Sequence, residues 1–550
     1  MIQIDATTSL LFKTVPCFIL YAEIHRKFLG FFSLVKHNLP EIIADVPYRV
    51  EPQHPLPIIC LIKDANHYPI VLHRIWYKLH LANGQVKQQN LWDIPVKISS
   101  RYWYKIFKLD LPHDRQQFLS LDLHVEVERK DKKYHCTNDN YRGTSHASFK
   151  IWMANEPLPR FPNLLLGDVH YHSNYTDDQV EFGAPLPIAV EMAQAIGLDF
   201  FCVTDHSYDL DDYPHNCLQN DPSLTKWKMF HREVKTLNQA QQTKTKPVII
   251  IPGEEVSVRN SQGRNVHMLV LNDGKFYPGS GDSAENWFKL RSEFQIADIL
   301  QNLSDHAIAI AAHSGYRAPL LEYLLIQRGK WEMEDCELQN LTGLQILNGE
   351  NNESFRRGLH QWRELLLKGK KLYIFAGNDA HGNFNRYRQL GLPFLHMRER
   401  QAQLFGQMRT AVFVEKPAKL EQIVTALKQG ISMITSGPVA NLQATGEHGH
   451  RANLGETIHD RKIQLRILAK SSLECGALQE VILLRGDLQQ RQEIVLQLWR
   501  EFSSNWDFET ILKCSIPSGH EYYYRLEILT DKGNFCYTNP IWQKAKKKAR

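Results

Sequence analysis

The chain has 550 residues, with 65 Lys and Arg, 60 Asp and Glu, and a formal net charge of +5 at pH 7. A single hydrophobic core does not extend over so many residues, so we expect two to four domains. The small net charge argues against a surface that coats nucleic acid. No window reaches the roughly 20 apolar residues of a membrane-spanning helix. We therefore expect neither a nucleic-acid partner nor a membrane anchor.

The nine cysteines are scattered, and no two of them form a Cys-x-x-Cys pair. This spacing disfavours a zinc ribbon and a disulfide framework and is typical of a reducing compartment. The first 30 residues lack both a basic start and a small-residue cleavage site, so they do not resemble a signal peptide. The expected location is the cytoplasm. The final "KAKKKAR" is interpreted as a solvated basic tail.

Residues 1–155 are predicted to form an N-terminal β-rich domain. In "FLSLDLHVEVE", apolar and polar residues alternate strictly, as in a half-buried strand. Similar segments, "PIICLIKDA" and "YWYKIFKLDL", are separated by Pro, Gly and Asn turns, which favours a β-sandwich. A proline-rich linker, "NEPLPRFPN", follows this domain.

Residues 163–437 show a different pattern. Continuous apolar runs such as "DFFCVTDH", "AIAIAAHSG" and "KLYIFAGNDAH" alternate with amphipathic stretches such as "LPIAVEMAQAIG". Runs of this kind are typical of parallel strands buried on both faces, and the alternation predicts an α/β barrel-like domain. Strand character returns afterwards, so residues 438–550 are predicted to form a C-terminal β-rich domain that includes the basic tail.

Metal-binding side chains recur at the predicted carboxyl ends of these strands. They are His170, His172 and Asp177, then Asp205 and His206, Glu254 and Glu255, His313, and Asp379 and His381. A nearby strand, "VHMLVL", opens with His267. Active sites of barrel-like domains lie where strand carboxyl ends converge. A lone His-x-His pair is uninformative, as His448 and His450 illustrate in a polar, Gly-containing segment with no apolar strand before it. The recurrence of His, Asp or Glu at five strand ends therefore predicts a shared site.

Imidazoles and carboxylates that converge in one place require a positive charge among them. Their mixture of nitrogen and oxygen donors suits borderline divalent metals. The number of donors exceeds the needs of one tetrahedral ion, which predicts two or three divalent metal ions, Mn, Zn or Fe, that share a bridging carboxylate or water.

The same residues carry a family resemblance. "DVHYHSNYTDD" is similar to the HxHSxxSD opening of PHP (polymerase and histidinol phosphatase) domains, with Thr176 where Ser is usual. "VTDH", "GEEVS", "AHSG" and "GNDAHG" match the family's remaining motifs in order, over about residues 164–385. "ALKQGISMITSGP" and "YYYRLEI" resemble the CehA/McbA-type metallohydrolases, a subfamily with flanking β domains. The resemblance implies a PHP-type (β/α)7 barrel flanked by two β-sandwich-like domains.

The resemblance also implies a ligand set. The metal ligands would be His170, His172, Asp177, His206, Glu255, His267, His313, Asp379 and His381. Glu255 would bridge two metals, and Asp205 would orient His206. Glu255, Asp177, His206 and Asp379 would also serve catalysis.

The expected activity is multinuclear metal-dependent hydrolysis by a metal-activated hydroxide. A small-molecule phosphoester substrate is favoured, and a carboxylic ester or carbamate is the alternative. A nucleic-acid-associated PHP module is a third hypothesis, which the nearly neutral charge and the lack of polymerase-like flanks disfavour. Arg317 and Arg386 are candidates for binding an anionic substrate group, with solvated side chains as the alternative. The oligomeric state and the substrate are not specified by any of these patterns.

Overall fold

A computed structural model describes residues 39–81, 84–111, 117–140, 146–177, 183–214, 216–281, 291–385 and 403–545. The predictions on the N-terminal segment, on Arg386 and on the last five residues of the basic tail lie outside these ranges. Within these ranges, no helix combines the length and the apolar character that crossing a membrane requires.

The elements are numbered in chain order. The strands are β1 (Glu41–Asp45), β2 (Arg49–Val50), β3 (Leu56–Lys63), β4 (Ile70–His80), β5 (Val86–Trp92), β6 (Val96–Ile98), β7 (Tyr102–Leu109), β8 (Gln117–Arg129), β9 (Lys132–Thr137), β10 (Phe149–Met153), β11 (Leu164–His172), β12 (Phe200–Val203), β13 (Asp212–Tyr213), β14 (Asn216–Asn220), β15 (Ile249–Arg259), β16 (Asn265–Leu271), β17 (Ile308–Ala311), β18 (Gly343–Asn348), β19 (Tyr373–Gly377), β20 (Ala380–His381), β21 (Arg409–Phe413), β22 (Ser432–Thr435), β23 (Val439–Gly446), β24 (Arg451–Ala452), β25 (Thr457–Ile458), β26 (Lys462–Lys470), β27 (Leu478–Asp487), β28 (Gln492–Trp499), β29 (Asp507–Ser515), β30 (Glu521–Thr530), β31 (Phe535–Thr538) and β32 (Ile541–Lys544). The helices are α1 (Leu186–Ile196), α2 (Ser207–Leu210), α3 (Thr225–Gln241), α4 (Ile296–Asn302), α5 (Leu320–Leu325), α6 (Met333–Cys336), α7 (Glu353–Leu367) and α8 (Leu420–Gln429).

The chain forms two compact units. Unit 1 contains the described residues up to Pro157, together with those of Thr176–Gly197 and Ala380–Leu404. Unit 2 contains those of Leu158–Tyr175, Leu198–Asp379 and the part of the chain from Phe405 onward. The division into domains at residues 1–155, 163–437 and 438–550 stays a prediction.

Unit 1 is built from two sheets. One has the order β1-β3-β7, and the other has the order β2-β10-β8-β4-β5, with β6 paired to β4 and β9 paired to β8. The alternation predicted in "FLSLDLHVEVE" is observed in β8, where Leu119, Leu121, Leu123, Val125 and Val127 are buried. These side chains join apolar residues of the other sheet in one hydrophobic core, so the periodicity places one face of β8 in that core.

Unit 2 is dominated by a sheet with the strand order β19-β18-β17-β16-β15-β12-β11-β21-β22-β31-β30-β27-β28. A second sheet has the order β24-β23-β26-β29. Strand β11 belongs to two hydrophobic cores, because Leu165 and Val169 lie in one of them and Leu164 and Leu166 lie in the other. The period-two geometry of a strand accounts for this division.

The predicted (β/α)7 barrel flanked by β-sandwich-like domains is wrong. Strands make up 45% and helices 16% of the residues that the structure describes, and the strands form several sheets. Strands β15, β16 and β17 pair antiparallel, and β11 pairs antiparallel with β21, through which the sheet continues into the C-terminal strands. Burial on both faces makes a strand apolar whichever way its neighbour runs, so the apolar runs did not specify strand direction.

A buried ion-pair cluster connects helix α7 to the C-terminal strands of unit 2. The fully buried guanidinium of Arg525 donates two hydrogen bonds of 2.8 Å to the carboxylate of Glu493 and one of 2.6 Å to Glu527. Tyr523 also donates to Glu493, at 2.8 Å, and Arg363 lies 2.7 Å from the same carboxylate. Burial raises the pKa of Glu493, but the hydrogen bonds and charge of Arg525 outweigh this effect and lower the pKa overall.

Substituting Glu493 by Ala is expected to destabilise the protein by about 3–5 kcal/mol at pH 7, because it leaves the guanidinium of Arg525 buried with incomplete compensation. Urea denaturation measures this loss. Since the pKa of Glu493 is lower in the folded state, its contribution is fully present above the unfolded pKa of about 4.3 and is lost as the pH falls through the folded value. The matched control is Glu509→Ala, which breaks an exposed pair with Arg466 at 2.8 Å and should leave the transition unchanged.

Candidate metal centre

The candidate ligands of unit 2 meet at one edge of its main sheet. Strands β11, β12 and β15 run parallel, as do β17, β18 and β19. His170 and His172 end β11 and are fully buried on the same face of the strand. His206 follows β12, His313 follows β17 and Asp379 follows β19. The carboxyl ends of parallel strands therefore bring these side chains together, while the antiparallel β16 contributes His267 from near its first residue.

The first group of converging side chains consists of His170, His172, Glu255 and Asp379. Their ligand atoms all lie within 4.8 Å of one another. Oε2 of Glu255 lies 3.2 Å from Nε2 of both His170 and His172. Oδ1 of Asp379 lies 3.4 Å and 3.2 Å from the same two nitrogens. The group thus offers two imidazole nitrogens and two carboxylates to one point.

The second group consists of Glu255, His267 and His313, again with ligand atoms within 4.8 Å of one another. Oε1 of Glu255 lies 2.6 Å from Nδ1 of His267 and 3.2 Å from Nε2 of His313. The other oxygen, Oε2, lies 3.3 Å from Nδ1 of His206. Glu255 therefore belongs to both groups and presents a different oxygen to each, which is the arrangement of a bridging carboxylate.

The donor chemistry and the charges fit divalent cations. Burial raises the pKa values of Glu255 and Asp379, but the surrounding imidazoles lower both well below their usual range. Burial likewise lowers the pKa of His170, but the charges of Glu255 and Asp379 raise it to about 9. Two ionised carboxylates that lie among imidazoles, one of them buried and one half-buried, need either protons on those rings or bound cations. Nitrogen and oxygen donors in this mixture suit Zn, Mn or Fe.

Glu254 lies outside both groups although it precedes Glu255. Successive side chains of β15 point to opposite faces of the strand. The carboxylate of Glu254 accepts a hydrogen bond from the indole of Trp227 at 3.0 Å and one from the backbone N–H of Tyr277 at 3.4 Å. Burial raises the pKa of Glu254 to about 8, which opposes the anionic form that a metal ligand needs.

Asp205 holds the turn that follows the His-x-His pair. Its carboxylate accepts hydrogen bonds from the backbone N–H of Ser173 at 2.6 Å and from the Ser173 hydroxyl at 2.7 Å. Its backbone carbonyl accepts from the N–H of Glu255 at 3.0 Å. Through these bonds Asp205 fixes the positions of His172 and Glu255, and its predicted role in orienting His206 stays a prediction.

Three residues at this centre were not predicted from the sequence. The buried side chain of Gln345 lies between His170 and His313, and Asn348 donates to Asp379 at 3.3 Å. Arg328 donates from its guanidinium to Nε2 of His267. Asn348 ends the apolar run "GLQILN", and this position at a strand end was the signal that could have identified it. The amides of Gln345 and Asn348 and the guanidinium of Arg328, which reaches the centre from a loop, follow no periodic sequence pattern.

The remaining candidates belong to neither of these two groups. Asp177, in unit 1, forms ion pairs with Lys63 at 3.1 Å and with Arg101. His381 is half-buried on β20, also in unit 1. Arg317 is exposed, and Arg386 lies outside the described residues. The predicted roles of these four residues in metal or substrate binding stay predictions.

Comparison with known proteins establishes no family for the chain. No family model matches it, and no curated protein matches it. Among solved structures, it is similar to a β-glucuronidase from Parabacteroides merdae, with 10% identity, 93% of this chain and 66% of that chain covered, and a TM-score of 0.18. A glycosyl hydrolase family 2 member from Bacteroides cellulosilyticus gives 9% identity, 92% and 63% coverage, and a TM-score of 0.15. The chain thus spans slightly less than two thirds of the length of these proteins.

These findings correct the family resemblance. The solved structures named above are a β-glucuronidase and a member of glycosyl hydrolase family 2 rather than PHP or CehA/McbA-type enzymes, and the strand-rich sheets differ from the expected barrel. TM-scores below 0.2 do not establish a common fold with the glycosyl hydrolases either. Short runs of His and acidic residues reflect ligand chemistry, which recurs on unrelated folds. The predicted membership in the PHP family is therefore wrong. Any functional conclusion rests on the geometry and chemistry of the candidate ligands.

Proposed function

We propose that the protein is a multinuclear metal-dependent hydrolase that cleaves small-molecule phosphoesters. The observation that carries this proposal is the division of Glu255 between two sets of imidazoles, with one oxygen near His170 and His172 and the other near His267 and His313. A carboxylate shared in this way suits two cations held side by side. Divalent cations bound at such a centre lower the pKa of water and stabilise negative charge that develops on a substrate oxygen.

The protein residues prepare the centre for this chemistry in three ways. Glu255 and Asp379 supply the negative charge that retains cations, since both carboxyl groups stay ionised. Burial of His170 and His172 excludes water from the back of the centre, which strengthens electrostatic interactions there. Asp205 and Ser173 hold the chain in place directly after the His-x-His pair, so the imidazoles are oriented before substrate binds.

Arg328 favours a phosphoester over a carboxylic ester. Its guanidinium donates to His267 at the margin of the second group and is only partly buried. A guanidinium suits the oxygens of a phosphate group, which carries more charge than a neutral ester carbonyl. A carboxylic ester or carbamate remains the second candidate, because the same two groups of ligands can polarise a carbonyl oxygen.

The experiment is a side-by-side assay of the purified protein loaded with Mn²⁺, with p-nitrophenyl phosphate and p-nitrophenyl acetate as substrates and a chelator control. Chelator-sensitive cleavage of the phosphate supports the proposal. Chelator-sensitive cleavage of the acetate alone replaces it with the carboxylic ester hydrolase. Activity that is insensitive to a strong chelator contradicts metal dependence.

Cation binding is expected to weaken as the pH falls. The pKa of about 9 for His170 in the cation-free protein means that this imidazole carries a proton at pH 7, which a cation must displace. Because a lower pH favours the protonated ring, the dissociation constant for Mn²⁺ should rise about tenfold per pH unit if one proton is displaced. Hydrolysis should fall further below about pH 6, where imidazoles with an ordinary pKa also take up protons. Titration calorimetry at several pH values measures the constant, and full activity at pH 5 would contradict a histidine-rich site.

A further inference from the structure

The side chain of Gln345 connects candidate ligands of both groups. It is fully buried in β18. Its Oε1 accepts a hydrogen bond from the backbone N–H of His313 at 3.2 Å and lies 2.8 Å from Nδ1 of His170. Its amide nitrogen donates to Oδ1 of Asn348 at 3.2 Å, and the amide nitrogen of Asn348 donates to Oδ2 of Asp379 at 3.3 Å. A chain of hydrogen bonds therefore connects His170 to Asp379.

The direction of this chain follows from its anchor on the backbone. A backbone N–H can only donate, so the atom of Gln345 that faces His313 is the carbonyl oxygen. That oxygen can only accept, so the neighbouring Nδ1 of His170 carries a proton. In the neutral imidazole the lone pair then lies on Nε2, which is the nitrogen 3.2 Å from Glu255. Gln345 thus selects the tautomer of His170 that points its free lone pair into the first group.

An irregularity in the sheet makes this contact possible. Residues three positions apart in a regular strand point to opposite faces. The pairing of β18 with β19 shifts register between Gln345 and Leu347, and such irregularities redirect side chains near functional sites. Gln345 and Asn348 consequently reach each other and both face the ligands.

We propose that Gln345, together with Asn348, is a positioning residue that sets the affinity of the first group for a divalent cation. Gln345 acts through His170, whose tautomer it selects, and Asn348 acts through Asp379, whose carboxylate it orients. This role rests on the proposed function, because it presupposes that the group binds a cation. Residues that orient metal ligands in this manner typically contribute 10–100-fold to metal affinity.

The test is calorimetric titration of the full chain with Mn²⁺ alone. Gln345→Met preserves the approximate length of the side chain but removes the acceptor, so its dissociation constant is expected to rise about 10–100-fold. Gln345→Glu keeps an acceptor oxygen for His170 but loses the hydrogen bond donated to Asn348, so its dissociation constant is expected to lie between those of the wild type and Gln345→Met. Half-maximal activity of Gln345→Met should need more Mn²⁺, whereas the rate at saturating Mn²⁺ should recover, which a purely structural defect would not produce.

Gln543→Met is the matched control. Gln543 is also fully buried in unit 2, where it accepts from Tyr524 at 2.9 Å and donates to the carbonyl of Asp460 at 2.9 Å. This variant should lose stability but keep the wild-type affinity for Mn²⁺. If its affinity falls as far as that of Gln345→Met, the effect is general destabilisation and the positioning role is wrong.

The outcomes separate the two proposals. A wild-type protein that binds no Mn²⁺ overturns the proposed function and the positioning role with it. A wild-type protein that binds Mn²⁺ while Gln345→Met binds equally well overturns the positioning role alone. If circular dichroism shows Gln345→Met to be unfolded, Asn348→Ala is titrated instead, since Asn348 is partly exposed. Weaker binding by that variant supports the role, and unchanged binding overturns it.

Discussion

Glu255→Gln is expected to lower the rate of hydrolysis at least about a thousandfold and to reduce Mn²⁺ binding at both groups. Residues that only orient ligands typically cost 10–100-fold, and Glu255 lies within both groups and contributes an oxygen to each. The amide of Gln preserves the shape of the side chain but has no negative charge and only one acceptor oxygen. Steady-state kinetics and metal analysis of the purified variant measure the two effects.

Glu254→Gln is the control for this variant. Burial raises the pKa of Glu254 to about 8 and so favours the neutral form, which an amide imitates closely. Its partners are Trp227 and Tyr277 rather than the imidazoles. Activity within a few-fold of wild type is therefore expected. If Glu255→Gln and Glu254→Gln lose activity equally, the bridging position of Glu255 does not explain the loss of hydrolysis.

His172→Ala is expected to lower hydrolysis about a hundredfold or more and to remove the metal held by the first group, while the fold stays largely intact. The imidazole lies 3.2 Å from the carboxylates of both Glu255 and Asp379, so its loss leaves an incomplete donor set. Asp379→Ala should behave similarly, because it removes one of the two carboxylates of the same group. Metal content per chain and turnover are measured together with circular dichroism.

The chain provides its own control for the His-x-His pair. His448 and His450 are exposed, and their simultaneous replacement by Ala should change neither turnover nor metal content. Unchanged turnover in His172→Ala or Asp379→Ala would contradict the assignment of the centre.

The convergence of the candidate ligands was predictable because each motif follows an apolar strand. The carboxyl ends of the parallel strands β11, β12, β17 and β19 meet at one edge, so His170, His172, His206, His313 and Asp379 come together as the spacing predicts. Glu255 was distinguishable from Glu254 only through the family resemblance, and the structure separates the two by the face of β15 on which each lies.

The direction of the strands was not predictable. Alternation of polar and apolar residues disappears when both faces of a strand are buried, so β16 and β21 gave no sign that they pair antiparallel with their neighbours. Gln345 was not predictable either, because a single amide in the apolar run "GLQILN" forms no periodic pattern. Arg328 reaches His267 across 61 residues of sequence, and such a contact follows from tertiary packing alone.

We expect strand β11 to couple the two cores of unit 2 when a cation binds, because it contributes side chains to both. Its last residues carry His170 and His172, while Leu164 to Gly167 pair with β21, which leads into the C-terminal strands. A cation that binds only the folded state stabilises every element that must unfold before its ligands separate. Amide protons of the C-terminal strands, far along the chain from any candidate ligand, would therefore exchange more slowly with solvent when the centre is loaded.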